Sequence, residues 1–253
     1  MAAEARIGTA GWSVPAKDAA GFPEEGTSLE RYASRFNCAE INSSFHRSHR
    51  PSTYERWADA VPDDFCFSVK LAKTITHQQK LVGVDGLVET FFQEISGLGA
   101  KAAIILIQLP PSLAFEQAVA EPFFDRLRRS TEAGLVCEPR HASWFEEGAE
   151  TLLAERQVAR VAADPAKVEP AVHPGGWRGL SYYRLHGSPV PYRSSYEPDR
   201  LQAYAGAMKP DLEEGRDMWC IFDNTASSAA LGNALELQEL IGSRSASSNR
   251  NCA

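Results

Sequence analysis

Apolar residues in this chain gather into short runs separated by longer amphipathic stretches. Eight runs stand out, at 5–11, 39–45, 65–70, 102–109, 134–140, 160–164, 180–186 and 218–223. This rhythm predicts repeated strand and helix units around a parallel sheet. Between the runs, 28–36 opens with Ser28 and Glu30 in its first turn, and 86–98 carries apolar residues at helical spacing, so both are predicted helices. Eight units in about 250 residues match the arithmetic of an α/β fold, a single (β/α)8 TIM-like barrel over 1–241, although a doubly wound open sheet would alternate similarly. The segment 242–253, rich in Ser and Asn and without apolar periodicity, is expected to be a disordered tail.

Polar residues are distributed unevenly within the runs. Their N-terminal halves are nearly all apolar and their C-terminal tips nearly all polar. The first ends in Gly8-Thr9-Ala10-Gly11-Trp12, and the second carries Glu40 and Asn42, followed by Ser43, Ser44 and His46. Lys70 ends the third, with Lys73 and Thr76-His77 just beyond, and Gln108 comes before Pro110-Pro111 in the fourth. Glu138, Arg140 and His141 mark the fifth, Asp164 the sixth, Arg184 and His186 the seventh, and Asp223-Asn224 the eighth. Charged groups crowded at strand ends are costly for folding alone. In a barrel the groups that do chemistry gather at that end, so the asymmetry predicts a site there.

Composition narrows the class. A chain of 253 residues with 43% hydrophobic content supports one large buried core. A net charge of -7 argues against a general polyanion binder and leaves nucleic acid a weak candidate partner. No apolar run is long enough to span a bilayer, and the first residues lack a basic start and an apolar core, so no membrane association and a cytoplasmic location are expected. Cys38, Cys66, Cys137, Cys220 and Cys252 show no paired spacing, which offers neither a zinc motif nor a disulfide framework. Those inside strands read as small buried hydrophobes.

Each candidate has a duller reading. Glu40 with Arg184, or Glu138 with Arg140, can be buried ion pairs. Asn42, Ser43 and Ser44 can satisfy loop backbone groups, and Trp12, Trp57 and Trp144 can be core or pocket walls.

The motifs Gly8-Thr9-Ala10-Gly11-Trp12, Glu40-Ile41-Asn42-Ser43-Ser44-Phe45, Phe67-Ser68-Val69-Lys70, Ile75-Thr76-His77, Gln108-Leu109-Pro110-Pro111-Ser112, Glu138-Pro139-Arg140-His141 with Ser143-Trp144, and Arg184-Leu185-His186-Gly187 together resemble the DUF72, or YecE-like, family from about residue 7 to 240. The resemblance implies a TIM-barrel fold and no established activity. Ala10 stands where the family commonly has Ser, His46 where Tyr is common, and Asp223 where an Asn usually precedes Asn224. The last adds a carboxylate, structural if it pairs with an Arg.

The leading expectation is an enzyme, a hydrolase, lyase or isomerase, acting on a small anionic, phosphorylated or carboxylated molecule with no cofactor and no metal. Glu40, Lys70, Glu138 and His186 are the candidate catalytic residues. Trp12, Asn42, His77, Gln108, Arg140, His141, Arg184 and Asn224 are the candidate substrate-binding ones. A Schiff-base role for Lys70 requires a desolvated amine, which sequence does not show. Two alternatives remain open. One is a divalent-metal phosphoesterase or endonuclease-like site from Glu40, Glu138, Asp164, His186 and Asp223, beside which Arg140 and Arg184 would repel the ion. The other is a non-catalytic receptor using 187–198, with Tyr192, Arg193 and Tyr196, as a lid or recognition loop.

Overall fold

The computed structural model describes residues 4–242. Its strands are β1 Ala5–Thr9, β2 Cys38–Ile41, β3 Cys66–Lys70, β4 Ala102–Gln108, β5 Gly134–Glu138, β6 Val158–Arg160, β7 Ala162–Asp164, β8 Gly175–Gly176, β9 Leu180–Leu185 and β10 Asp217–Phe222. The helices are α1 Ser28–Ala33, α2 Ser43–His46, α3 Pro51–Asp59, α4 Asp85–Ile95, α5 Gln117–Ser130, α6 Glu147–Glu155, α7 Pro198–Glu213 and α8 Ala230–Ile241. All eight apolar runs overlap a strand. Residues 243–253, nearly all of the segment expected to be a tail, lie outside the described residues.

Strand pairing gives an α/β fold with two sheets, ordered β1-β10-β9-β7 and β2-β3-β4-β5-β6-β8. Every ladder is parallel except the short antiparallel pair of β6 and β8. The ladders do not form one closed ring. The sheets meet at two places: a single parallel bridge joins Ala10 to Glu40, and Val161 links β6 to β7 while its N–H bonds the Cys137 carbonyl at 2.8 Å. The run 160–164 therefore serves both sheets, its first part pairing with β5 and its second with β9.

Local boundaries differ from expectation for physical reasons. The second run stops being a strand after Ile41 because Asn42 turns into the helical region (φ -88°, ψ -20°) and α2 begins. Helix α1 ends at Ala33, short of the expected 36, and its start is fixed by a capping box in which Thr27 and Glu30 satisfy each other's backbone N–H groups. No helix among the described residues is long and apolar enough to cross a membrane.

The strands are buried on both faces. One face, with Ile7, Ile41, Val69, Ile107 and Phe222, packs on the helices in a large apolar cluster. The other carries a second cluster from strand residues and the Val161 link, including Cys38, Leu106, Val136, Val161, Tyr182 and Ile221. Gly8 allows β1 to lie close to β2, since a Cβ there would sit 2.4 Å from the Cys38 carbonyl oxygen. Among the described residues the cysteines are unpaired. Cys137 and Cys220, with Cys38, are buried, which pushes their thiols well above the ordinary range and fits small core hydrophobes, whereas Cys66 at the start of β3 is only half-buried.

Candidate functional site

The second apolar cluster turns charged as the strands run toward their C-terminal ends. Successive side chains point to opposite faces, so each two-residue step stays on the same face. Cys38 leads to Glu40, Leu106 to Gln108, Val136 to Glu138, Tyr182 to Arg184 and Ile221 to Asp223. All five polar residues are buried, together with Lys70 and His186.

Arg184 is the centre of this group and is 0% exposed. Its Nε and Nη2 grip both oxygens of Glu40 at 2.9 and 2.7 Å, Nη1 donates to Glu138 Oε2 at 2.5 Å, and Nη2 also donates to Asp223 Oδ2 at 3.0 Å. Tyr182 lies one step deeper, with its hydroxyl 3.1 Å from Glu40 and 2.8 Å from Ser68. Glu138 receives three further donors, from Gln108 Nε2 at 3.1 Å, Arg140 Nη2 at 2.9 Å and His186 Nε2 at 3.1 Å. His186 spans two carboxylates, because its Nδ1 is also 3.1 Å from Asp223 Oδ2.

Ionisation follows from these contacts. Burial opposes the charged form of Glu138, but Arg184, His186 and Arg140 outweigh it and hold the carboxyl well below its ordinary range. Asp223 is lowered in the same way, its burial overcome chiefly by Arg184 and His186. His186 moves upward: burial disfavours the imidazolium, yet Glu138 and Asp223 together favour it more strongly. A proton on His186 therefore adds one positive charge between Glu138 and Asp223.

Lys70 stands apart from this network. It is 8% exposed, and no hydrogen bond or ion pair joins its ammonium to any described residue. Its Nζ lies 4.3 Å from the centre of the Phe45 ring. Burial, then the Arg184 charge, push its pKa down to about 8 against the pull of Glu40, Glu138 and Asp223. His77 packs edge-on against the same Phe45 ring at 4.9 Å and bonds Thr76 Oγ1 through Nδ1 at 2.8 Å. Its pKa is depressed by burial, Lys70 and Arg140, which places both cations near it.

Two openings reach this region. One, of about 140 Å³, is lined by Glu138, Arg140, Lys167, His186 and Tyr192 among others. The other, more open and of about 400 Å³, is lined by Gly11, Trp12, Ser13, Glu40, Asn42 and Ser43 with their neighbours. Trp12 packs against Trp57 at 5.1 Å and so walls the second opening, while Asn42 Nδ2 reaches Asp223 Oδ1 at 3.5 Å.

Three expected residues fall elsewhere. His141 lies one residue off the inward face and caps the turn at Ala142–Phe145, its Nδ1 accepting from the Ser143 N–H at 3.3 Å. Asn224 donates to the Ser194 carbonyl and to Asn233 Oδ1, each at 2.9 Å, tying the segment after β9 to α8. Asp164 bonds the Tyr196 hydroxyl at 2.8 Å and Arg200 at 2.9 Å on the α7 side. The ligand set expected for a divalent metal therefore loses Asp164, and a guanidinium fills the space between its carboxylates. Among the described residues no group of three or more His, Cys, Asp or Glu side chains is arranged to hold a metal ion.

Sequence reasoning missed Tyr182 and Ser68, which continue the inward series from Arg184 and Lys70. It also missed Phe45, the platform beneath Lys70, whose apolar character gave no sign of a site role.

The family model described as "Protein of unknown function DUF72" matches residues 6–251. The chain is 35% identical over 171 residues to the UPF0759 protein YecE of Escherichia coli (strain K12), a match covering 65% of this chain and 61% of that relative's length. It is 24% identical over 244 residues to the UPF0759 protein YunF of Bacillus subtilis (strain 168), covering 84% and 86%. Solved structures of DUF72 family proteins share the fold. One from Enterococcus faecalis has a TM-score of 0.80 at 18% identity, covering 94% of this chain and 96% of that one. One from Thermotoga maritima has a TM-score of 0.73 at 21% identity, covering 94% and 99%.

Proposed function

The chain belongs to the DUF72 family, described as being of unknown function, and we propose that it is an enzyme acting on a small anionic, phosphorylated or carboxylated molecule at the C-terminal ends of its strands. In this reading the two sheets are halves of one (β/α)8 barrel, with the Ala10–Glu40 bridge and Val161 as seams. The site is then the barrel mouth.

The observation that carries the proposal is the contrast between satisfied and free groups. Arg184 is spent on three carboxylates, whereas Lys70 has no ion pair and Arg140 makes one, to Glu138, while 21% of its side chain remains exposed. Buried cations are normally paired, so a buried ammonium held only against an aromatic ring, next to acids that line the openings, suits an incoming anion. Protonated His186 adds the positive charge that an anion would answer.

Glu40 and Glu138, expected as catalytic groups, act here by positioning: every oxygen of Glu138 already accepts two donors, which suits a fixed carboxylate better than a proton carrier. Proton transfer falls to His186 and Asp223, whose Oδ1 has one distant amide neighbour. The reaction belongs to hydrolase, lyase or isomerase chemistry and passes through no metal, because Arg184 already supplies the charge between the carboxylates.

Thermal unfolding across a panel of phosphorylated and carboxylated metabolites tests the reading. A ligand at about a hundred times its dissociation constant adds roughly 2.7 kcal/mol. A shift that disappears in Arg140→Ala supports the proposal, and no shift across the panel contradicts it. Binding without turnover would make the protein a receptor.

A further inference from the structure

We infer that Lys70 is a nucleophile that forms an imine with the carbonyl group of the anionic substrate, so that the substrate class is a 2-oxo acid or another carbonyl compound carrying an anionic group. The inference rests on the anion-site reading and deepens it.

A lysine suited to this chemistry must be held away from water, must not be locked in an ion pair, and must sit beside a binding opening. Lys70 meets the first condition at 8% exposure, in the last position of β3. It meets the second because it makes no ion pair, and the two glutamates near it are occupied: Glu40 by Arg184 and Tyr182, Glu138 by Arg184, Arg140, His186 and Gln108. These acids stabilise a positive charge at the site without holding the nitrogen. Phe45 packs against the amine at 4.3 Å, and Glu40 and Glu138, whose charges act on Lys70, line the two openings. Burial and Arg184 lower its pKa to about 8, which makes the neutral amine more than a hundredfold more abundant near neutral pH than in an ordinary lysine.

The step balances with groups present. The neutral amine nitrogen bonds to the carbonyl carbon, the carbonyl oxygen leaves as water with the two amine protons, and one proton taken up leaves a cationic imine. That cation replaces the ammonium charge among Glu40, Glu138 and Asp223, so the electrostatics of the cluster are conserved. Arg140 is the cation left to receive the substrate's anionic group, and Asp223 with His186 the pair left to relay the proton.

The test is borohydride reduction of the full chain with pyruvate, followed by peptide mass mapping, with exposed Lys17, Lys80 and Lys209 as internal references. Methyl pyruvate, an uncharged and more electrophilic ketone, is the control, so labelling by each is read against the reference lysines. The expected result is a reduced adduct concentrated on Lys70, with labelling relative to the reference lysines about tenfold greater for pyruvate than for its ester, the value of one charge-assisted contact. Arg140→Met should remove that preference, and Lys70→Arg should leave only reference labelling while thermal unfolding shows the fold intact. Labelling of Lys70 no greater than that of the references overturns the inference. Equal labelling by pyruvate and methyl pyruvate overturns the anionic part of the substrate class. Unfolding with the metabolite panel separates the two levels: stabilisation by anions without Lys70 labelling by pyruvate or by any stabilising carbonyl anion defeats the imine and spares the anion site. Neither stabilisation nor labelling defeats both.

Discussion

Replacing Arg184 with methionine tests whether the cluster is one electrostatic unit. The guanidinium is fully buried and makes four charge-assisted hydrogen bonds to Glu40, Glu138 and Asp223. Methionine fills much of the volume but leaves three buried carboxylates facing one another. Breaking a buried ion pair from one side costs about 3–5 kcal/mol. In a chain of this size that corresponds to a fall in Tm of roughly 10 °C. The pH dependence is more telling than the loss itself. In the wild type, Glu138 and Asp223 have lowered pKa values, so their stabilising contribution is present above the unfolded-state range near 4 and is lost as pH falls through the folded values. Without Arg184, burial lifts these carboxyls above that range, and the folded variant then binds protons more readily than the unfolded chain. Its deficit relative to wild type should be largest at pH 7 and shrink toward pH 5. Urea unfolding of both proteins between pH 5 and 8 measures this. A deficit under about 1 kcal/mol, or one that does not change with pH, would refute the reasoning.

Three further outcomes are expected. Glu138→Gln points amide hydrogens at two of the four groups now donating to Glu138, so it should lose about 3–5 kcal/mol in chemical unfolding, and a variant as stable as wild type would contradict the four-donor geometry. His186 has a raised pKa, so its contribution is complete below the unfolded value near 6.5 and is lost as pH rises through the folded one; His186→Asn should narrow its stability gap to wild type as pH climbs from 6 to 9, and a constant gap would count against the imidazolium. Asn224→Ala removes one hydrogen bond to the Ser194 carbonyl in the 187–197 segment and one to Asn233 in α8, so about 1–2 kcal/mol should be lost and amide exchange in that segment should quicken, whereas unchanged exchange would deny Asn224 its tethering role.

Much of the site was legible because strands alternate. Glu40, Lys70, Gln108, Glu138, Arg184 and His186 were found from their positions at the ends of apolar runs, and the structure brings them together. The same period would have excluded His141, Asn224 and Asp164, each one residue off the inward series that passes through Arg140, Asp223 and Val161. Strand-end position alone does not reveal which face a residue occupies; the register of the neighbouring apolar positions does. What sequence could not show is the division of labour. That Arg184 is consumed by three carboxylates while Lys70 is left free depends on side-chain reach across strands distant in sequence. How the two sheets meet was equally hidden, since alternation of strand and helix is silent on how β1 meets β2 and on the run at Val161 that both sheets share. The early end of the second run had a local cause, in that Asn42 and the two serines after it favour a turn over continued strand.

The central claim is that Lys70 is a buried cation without an ion-pair partner, awaiting an anion. The most direct measurement is its titration by NMR with a labelled lysine side chain, assigned by comparison with Lys70→Arg, in the absence and presence of inorganic phosphate. A midpoint near 8 that rises when phosphate is added is the predicted result, because an anion beside the amine favours its charged form. A midpoint in the ordinary lysine range near 10.5, unmoved by phosphate, would contradict it.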